Sequence, residues 1–338
     1  MNFSIIRREF SVKQNYIFYA IFLRFLAAIL ITNSHYSSVY PISILASGGL
    51  LGDVLFFSIS GFGLVYIKSN FGKWYLKRTY RIYPAVLLIT IIFYFLGFYL
   101  IDSSTNGFIG VIQLFIYPTY YHFVASIMIL YILYYIVMKV SFLRNNLLWV
   151  LLTIIFIQIL VYLIFIDKTY YHIDNVREPF IRFIFMEAMI IGAYFRTSKP
   201  SFQISKYWLY IITIFLLAMY FVSKVIFVEF VSFSSYQLIN QLLLIVLLFD
   251  IFYFFSTIES KLRNLPSKIV YFINFIATIT LEIYLVQYVI IDKFSYLIFP
   301  VNWIIITLLI FVSAFILHIT IRYVFYFFDN ISNRRESK

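Results

Sequence analysis

Long apolar runs separated by short polar segments dominate this chain. Ten such runs are read at about 16–36, 47–67, 84–101, 122–140, 146–166, 180–196, 207–228, 236–256, 268–291 and 302–327. Each holds the roughly 20 apolar residues that a helix needs to cross about 30 Å of hydrocarbon. The segment 106–118 is apolar but too short to cross, and Pro118 breaks it, so it is expected to lie in the interface or to re-enter. The pattern predicts an all-α polytopic membrane protein of about ten transmembrane helices. Residues 1–338 read as a single transmembrane domain with no appended soluble domain.

Charge gives this array a direction. With the N-terminus in the cytoplasm, the inner segments collect 19 of the 26 basic residues, among them Arg7, Arg8, Lys13, Lys68, Lys139, Arg144, Arg196, Lys199, Lys261 and Arg334. The outer segments and outer span ends hold Lys168, Arg177, Arg182, Lys224 and Lys293. Basic residues stay on the cytoplasmic side of short loops, so both termini are expected there. The net charge of +12 falls in short runs between spans, which suits anionic lipid head groups and argues against nucleic acid. Composition agrees, with 63% hydrophobic residues and a mean hydropathy of +0.95. No cysteine occurs, which excludes disulfides, thiolate metal sites and cysteine nucleophiles.

Ionisable groups inside apolar spans are costly and mark candidate function. Arg24 and His35 lie in the first span, eleven residues apart. At about 100° and 1.5 Å per residue they share one helix face within roughly 20°, about 16 Å apart along the axis. Asp53, Glu187 and Glu282 fall in the outer halves of their spans, near the depth of His35; Asp250 and His318 lie deeper or on the inner side. Asp53 sits among Gly48, Gly49, Gly52, Gly61 and Gly63, a density of small residues that also signals close helix packing. Glu187 and Glu282 fit equally as buried partners of Arg24 or Arg182. The longest outer segment, 167–179, is polar enough to fold over an outer mouth. At the inner side, Lys68, Lys73, Lys77, Arg78 and Arg81 place five basic residues in fourteen positions. Arg78 and Arg81 are three apart, so one helical turn points both the same way, toward an anion such as phosphate.

Three segments in order resemble acyltransferase family 3, integral membrane enzymes that modify surface glycans. Arg24 and His35 are similar to its arginine, ten residues, histidine pattern. Gly52-Asp53-Val54-Leu55-Phe56-Phe57-Ser58-Ile59-Ser60-Gly61-Phe62 resembles its signature in the second span. Arg78-Thr79-Tyr80-Arg81, followed by Pro84, resembles its cytoplasmic Arg-x-x-Arg motif. A fourth block, Thr280 to Gln287, resembles its C-terminal Ser-x-x-x-Tyr-Leu-x-His block, with Gln287 where many members carry histidine.

The resemblance implies a ten-span core in a bacterial cytoplasmic membrane. Such a core takes an acyl group, usually acetyl, from cytoplasmic acetyl-coenzyme A and delivers it to a hydroxyl of a surface polysaccharide or lipid-linked glycan, with no metal. Without the hydrolase-like domain of some members, this chain completes the transfer itself or hands the group to a separate protein. In that setting His35 is the expected general base or transient acyl carrier, with Asp53 or Glu282 orienting it. Arg24 is expected on the pantetheine or the oxyanion, and Arg78, Arg81, Lys77 and Lys73 on the coenzyme A phosphates. Glu187 and Arg177 are expected to contact the acceptor. The competing classes are a polysaccharide flippase or polymerase, which predicts large outer loops, and a small-solute transporter, which predicts inverted repeats or span-breaking Gly/Pro pairs in both halves. Here the outer loops are short and the glycines concentrate in the second span.

Overall fold

The protein is described by a computed structural model over residues 17–97, 122–176 and 178–336. Its main helices are α1 (Phe18–Ser34), α2 (Gly49–Gly63), α3 (Phe71–Phe95), α4 (His122–Lys139), the short α5 (Ser141–Asn145), α6 (Leu147–Phe165) and α7 (Arg182–Ser198). They continue with α8 (Lys206–Glu229), α9 (Leu238–Thr257), the short α10 (Glu259–Arg263), α11 (Ser267–Thr278), α12 (Thr280–Phe294) and α13 (Val301–Glu336). No strand occurs among the described residues. The segment 106–118, Arg177 and the basic residues before residue 17 lie outside them.

Six helical segments are long and apolar enough to cross a bilayer: Ser43–Gly63, His122–Lys139, Leu147–Phe165, Lys206–Glu229, Leu238–Thr257 and Val301–Tyr326. A seventh follows if α11 and α12, bent by 70° at their junction, form one span. Three further expected spans correspond to helices outside this set. α1 and α7 have 17 residues each, α1 apolar and α7 carrying Arg182, Glu187 and Arg196. α3 begins at Phe71, thirteen residues before Pro84, so its first half is the basic stretch and Pro84 lies inside the helix. Proline removes one backbone donor there and leaves a carbonyl one turn earlier without its helical partner.

The chain divides into two compact units. The first contains 1–27, 50–71 and 126–274. α7 is its centre, buried from Ile184 to Ala193 and again at Phe195. Two glycines let α2 and α7 touch backbone to backbone. A Cβ on Gly61 would collide with the Met189 carbonyl oxygen, and one on Gly192 with that of Ser58. Without a hydrophobic drive between helices in lipid, such close contact supplies the attraction. Phe57 stacks on Phe185 at 4.2 Å, and Arg196 lies over Phe62 at 5.2 Å. From Phe57–Phe185 to Phe62–Arg196 the flanking contacts advance together along both helices, which therefore run parallel and cross at the two glycines.

The same reasoning orients the other helices of this unit. Arg182 reaches Ser126 and the Tyr134 hydroxyl donates to the Gly61 carbonyl, so α4 runs with α2 and α7. α9 does too, with Leu238 near Phe180 and Phe252 against Phe195. α6 and α8 run the opposite way, through Gln158–Gln241 and Tyr162–Ser235 for one, Thr213–Asp250 and Tyr220–Asn240 for the other. At the start of α1, Phe18 and Tyr19 donate their backbone N–H groups to the Glu259 carboxylate at 2.9 and 2.6 Å. Those are two of the amides every helix start leaves unpaired.

The second unit contains 28–49, 72–125 and 275–338. α12 packs along α13, and the end of α1 with its following turn joins both. Thr32 bonds Gln287, Tyr36 bonds Thr307, and Asn302 donates to the Val39 carbonyl. Asn33 ties the turn together, donating to the carbonyls of Leu45 and Ser47 while accepting from the Tyr40 hydroxyl. The turn closes at Gly48, whose φ of +96° suits glycine, with Leu30 packed where a Cβ would stand.

Candidate functional site

His35 sits just past the end of α1, half-buried, its ring edge-on to Tyr288 at a centroid distance of 4.7 Å. Tyr288 in turn contacts Tyr284, which contacts Phe123. Neither ring nitrogen of His35 has a hydrogen-bond partner among the described residues. One turn earlier on the same face, the Thr32 hydroxyl donates to Gln287 Oε1 at 3.0 Å. Gln287 is fully buried, and its Nε2 has no partner among the described residues.

Glu282, expected as one possible support for His35, has another partner. Its Oε1 lies 2.7 Å from His318 Nδ1, and both residues are buried. The cause is helical geometry: Glu282 precedes Tyr288 by six residues, about 9 Å along the axis. This carboxylate–histidine pair joins α12 to α13. Sequence reasoning placed His318 in a span but did not pair it, because spacing along one helix says nothing of which neighbour it faces.

In the first unit, Arg24 and Asp53 are half-buried on α1 and α2. Asp53 has no hydrogen-bond partner among the described residues. Glu187 is fully buried on α7, and neither carboxyl oxygen has a partner among the described residues. A dry, unpaired carboxyl is costly unless it is neutral or completed by a ligand.

The segment 166–178 is stapled down by amides that the sequence reading did not single out. Gln237 Oε1 accepts from the backbone of His172 and Ile173, and its Nε2 donates to the Tyr170 carbonyl. Gln241 donates to the Ile173 carbonyl, and Lys224 pairs with Asp174 at 2.7 Å. His172 Nδ1 faces the Glu178 carboxylate at 2.9 Å while Nε2 faces the Asp167 carbonyl at 2.8 Å. Burial alone lowers its proton affinity, but the Asp167 carbonyl and the Glu178 carboxylate outweigh it, and the histidine ends above its ordinary range. The visible signal was four polar residues, Gln158, Gln237, Asn240 and Gln241, in otherwise apolar surroundings.

Two basic features remain. Lys73, Lys77, Arg78 and Arg81 occupy the first half of α3, with Lys73, Lys77 and Arg81 exposed and Arg78 resting on the Trp74 ring at 4.6 Å. In the first unit a cavity of about 590 Å³ is lined by Val65, Tyr66, Ile67, Lys68, Arg144, Asn145, Thr197 and Ser198. It lies where α2, α5 and α7 end. Three helix C-termini carry roughly half a negative charge each, less than Lys68, Arg144, Arg196 and Lys199 supply, so this end is positive overall.

In comparison with known families, an acyltransferase domain model, that of acyltransferase family 3, aligns with residues 17–326, nearly the whole chain. No curated protein and no solved structure matches.

Proposed function

Because the chain belongs to acyltransferase family 3 and is a multi-pass membrane protein, we propose that it moves an acyl group, acetyl in the first instance, from cytoplasmic acyl-coenzyme A to a hydroxyl of a glycan outside the bacterial cytoplasmic membrane. The helix directions support a ten-crossing arrangement. α2 and α4 run parallel, so an odd number of crossings separates them, and α3 is the helix available to make it. α6, α7, α8 and α9 then alternate. The basic ends of α2 and α7 favour the cytoplasm for that side and, with ten crossings, for both termini.

The observation that carries the reading is His35, a half-buried histidine at the end of α1 whose ring nitrogens have no hydrogen-bond partner among the described residues. As general base it takes the proton of the acceptor hydroxyl while that oxygen attacks the acyl carbon. The coenzyme A sulfur leaves and receives the proton. Arg24 is assigned to the pantetheine arm, and Arg78, Arg81, Lys77 and Lys73 to the phosphates. The unpaired Glu187 carboxyl offers an acceptor hydroxyl a partner inside the first unit, with Arg177 assigned to the same substrate. The test is His35→Ala expressed in a deletion host at equal membrane level, with surface-glycan acetylation read by NMR. A loss of about 10²- to 10⁴-fold in transfer rate is expected for a removed base. Full acetylation by the variant would end the reading.

A further inference from the structure

The Gln287 side chain has one end anchored and the other open. Its Oε1 is engaged by Thr32, which anchors one end of the amide. The Nε2 is buried, and no described residue accepts its hydrogens. Leaving an amide donor dry and unpaired is unfavourable, so a fold keeps one where something else completes it. The neighbourhood says what that is. Thr32 is one turn before His35, and Tyr288, the next residue after Gln287, packs against the His35 ring. The open donor therefore lies on the helical turn that flanks the histidine, and both belong to the second unit.

We propose that Gln287 is a catalytic residue whose side-chain N–H holds the acyl carbonyl oxygen as that oxygen becomes negative. The proposal rests on the acyltransferase reading and deepens it. The acceptor oxygen bonds to the acyl carbon and gives its proton to His35. The carbonyl π electrons pass to oxygen, and Gln287 Nε2–H donates to it. The oxyanion then collapses, the carbon–sulfur bond breaks, and the thiolate takes the proton back from His35. An ester and free coenzyme A remain. A neutral amide suits this place: it donates at every working pH and brings no charge into an apolar span. Donors held toward the developing oxyanion are among the strongest contributors to catalysis.

The experiment measures acetyl transfer from radiolabelled acetyl-coenzyme A to endogenous glycan in membranes of a deletion host expressing each full-length variant. Gln287→Leu removes the donor, and Gln287→Glu keeps the shape and the Thr32 acceptor while losing both N–H groups. Each is expected to lower kcat by about 10²- to 10³-fold, with the KM for acetyl-coenzyme A within about two-fold. Gln287→His restores an N–H and should recover part of the loss. Thr32→Val, which breaks the anchor but leaves the amide, should cost less than either. Wild-type kcat in both donor-free variants overturns the proposal, as does a Thr32→Val loss equal to theirs, which marks a purely structural clasp. Should Gln287→Leu fail to reach the membrane, Gln287→Glu decides alone. No transfer by the wild-type protein instead overturns the acyltransferase reading itself.

Discussion

At the scale of single residues, glycine and histidine carry this protein in opposite ways. Gly61 and Gly192 matter for what they lack. Because each faces a backbone carbonyl, adding a methyl group cannot be absorbed by turning a side chain. Gly192→Ala is expected to destabilise the first unit by about 1–3 kcal/mol, the usual cost of overpacking. A lower midpoint in thermal unfolding of the detergent-solubilised protein checks it, and an unchanged midpoint would mean that α2 and α7 do not meet there. The small residues around Asp53 pointed to this packing from the sequence alone. Which polar groups pair did not follow so easily. Arg24, His35 and Asp53 were visible as costly residues in apolar spans, yet the Glu282–His318 and Thr32–Gln287 contacts each join residues distant in sequence. Such pairs depend on how helices rotate against each other, and periodicity along one helix is blind to that.

At the scale of elements, the apolar pattern marked the long helices well, since α4, α6, α8 and α9 match their runs within a few residues, and α13 begins with its run but continues to Glu336. It failed where polarity and helix part company. α3 continues back through its basic residues to Phe71, because lysine and arginine are good helix formers. The 70° bend between α11 and α12 carries no Gly or Pro to announce it. The segment around His172 makes a prediction of its own. His172 places both ring nitrogens against acceptors and so holds the segment best as a cation. Its raised proton affinity means that the clasp is complete below about pH 6.5, the ordinary histidine value, and is lost as pH rises through the higher folded value. Tryptic cleavage after Lys168 should therefore accelerate at alkaline pH relative to His172→Gln, whose cleavage lacks that step. Parallel pH profiles for the two proteins would show that the histidine does not gate the segment.

For the whole molecule, the expected all-helical membrane architecture is what the structure and the family match share, while the sidedness of the array stays a proposal with a direct test. The natural chain has no cysteine, so a single introduced thiol reports without background. Ser37→Cys, in the turn after α1, should react with a membrane-impermeant maleimide on intact cells. Ser198→Cys, at the end of α7, should react only after the cells are opened. The reverse result would invert the topology and place the positive cavity outside.

The carboxylate that caps the first helix has a consequence in time. Glu259 follows Phe18 by 241 residues, and the partners of Thr32 and Tyr36 follow them by 255 and 271. A ribosome adding about 5–20 residues per second needs roughly 12–54 s to travel that far. Until then the opening helix waits in the membrane with its first amides and its closing turn uncommitted. It is made before all of these partners and finished only after them, so its contacts shut from later residues back onto earlier ones.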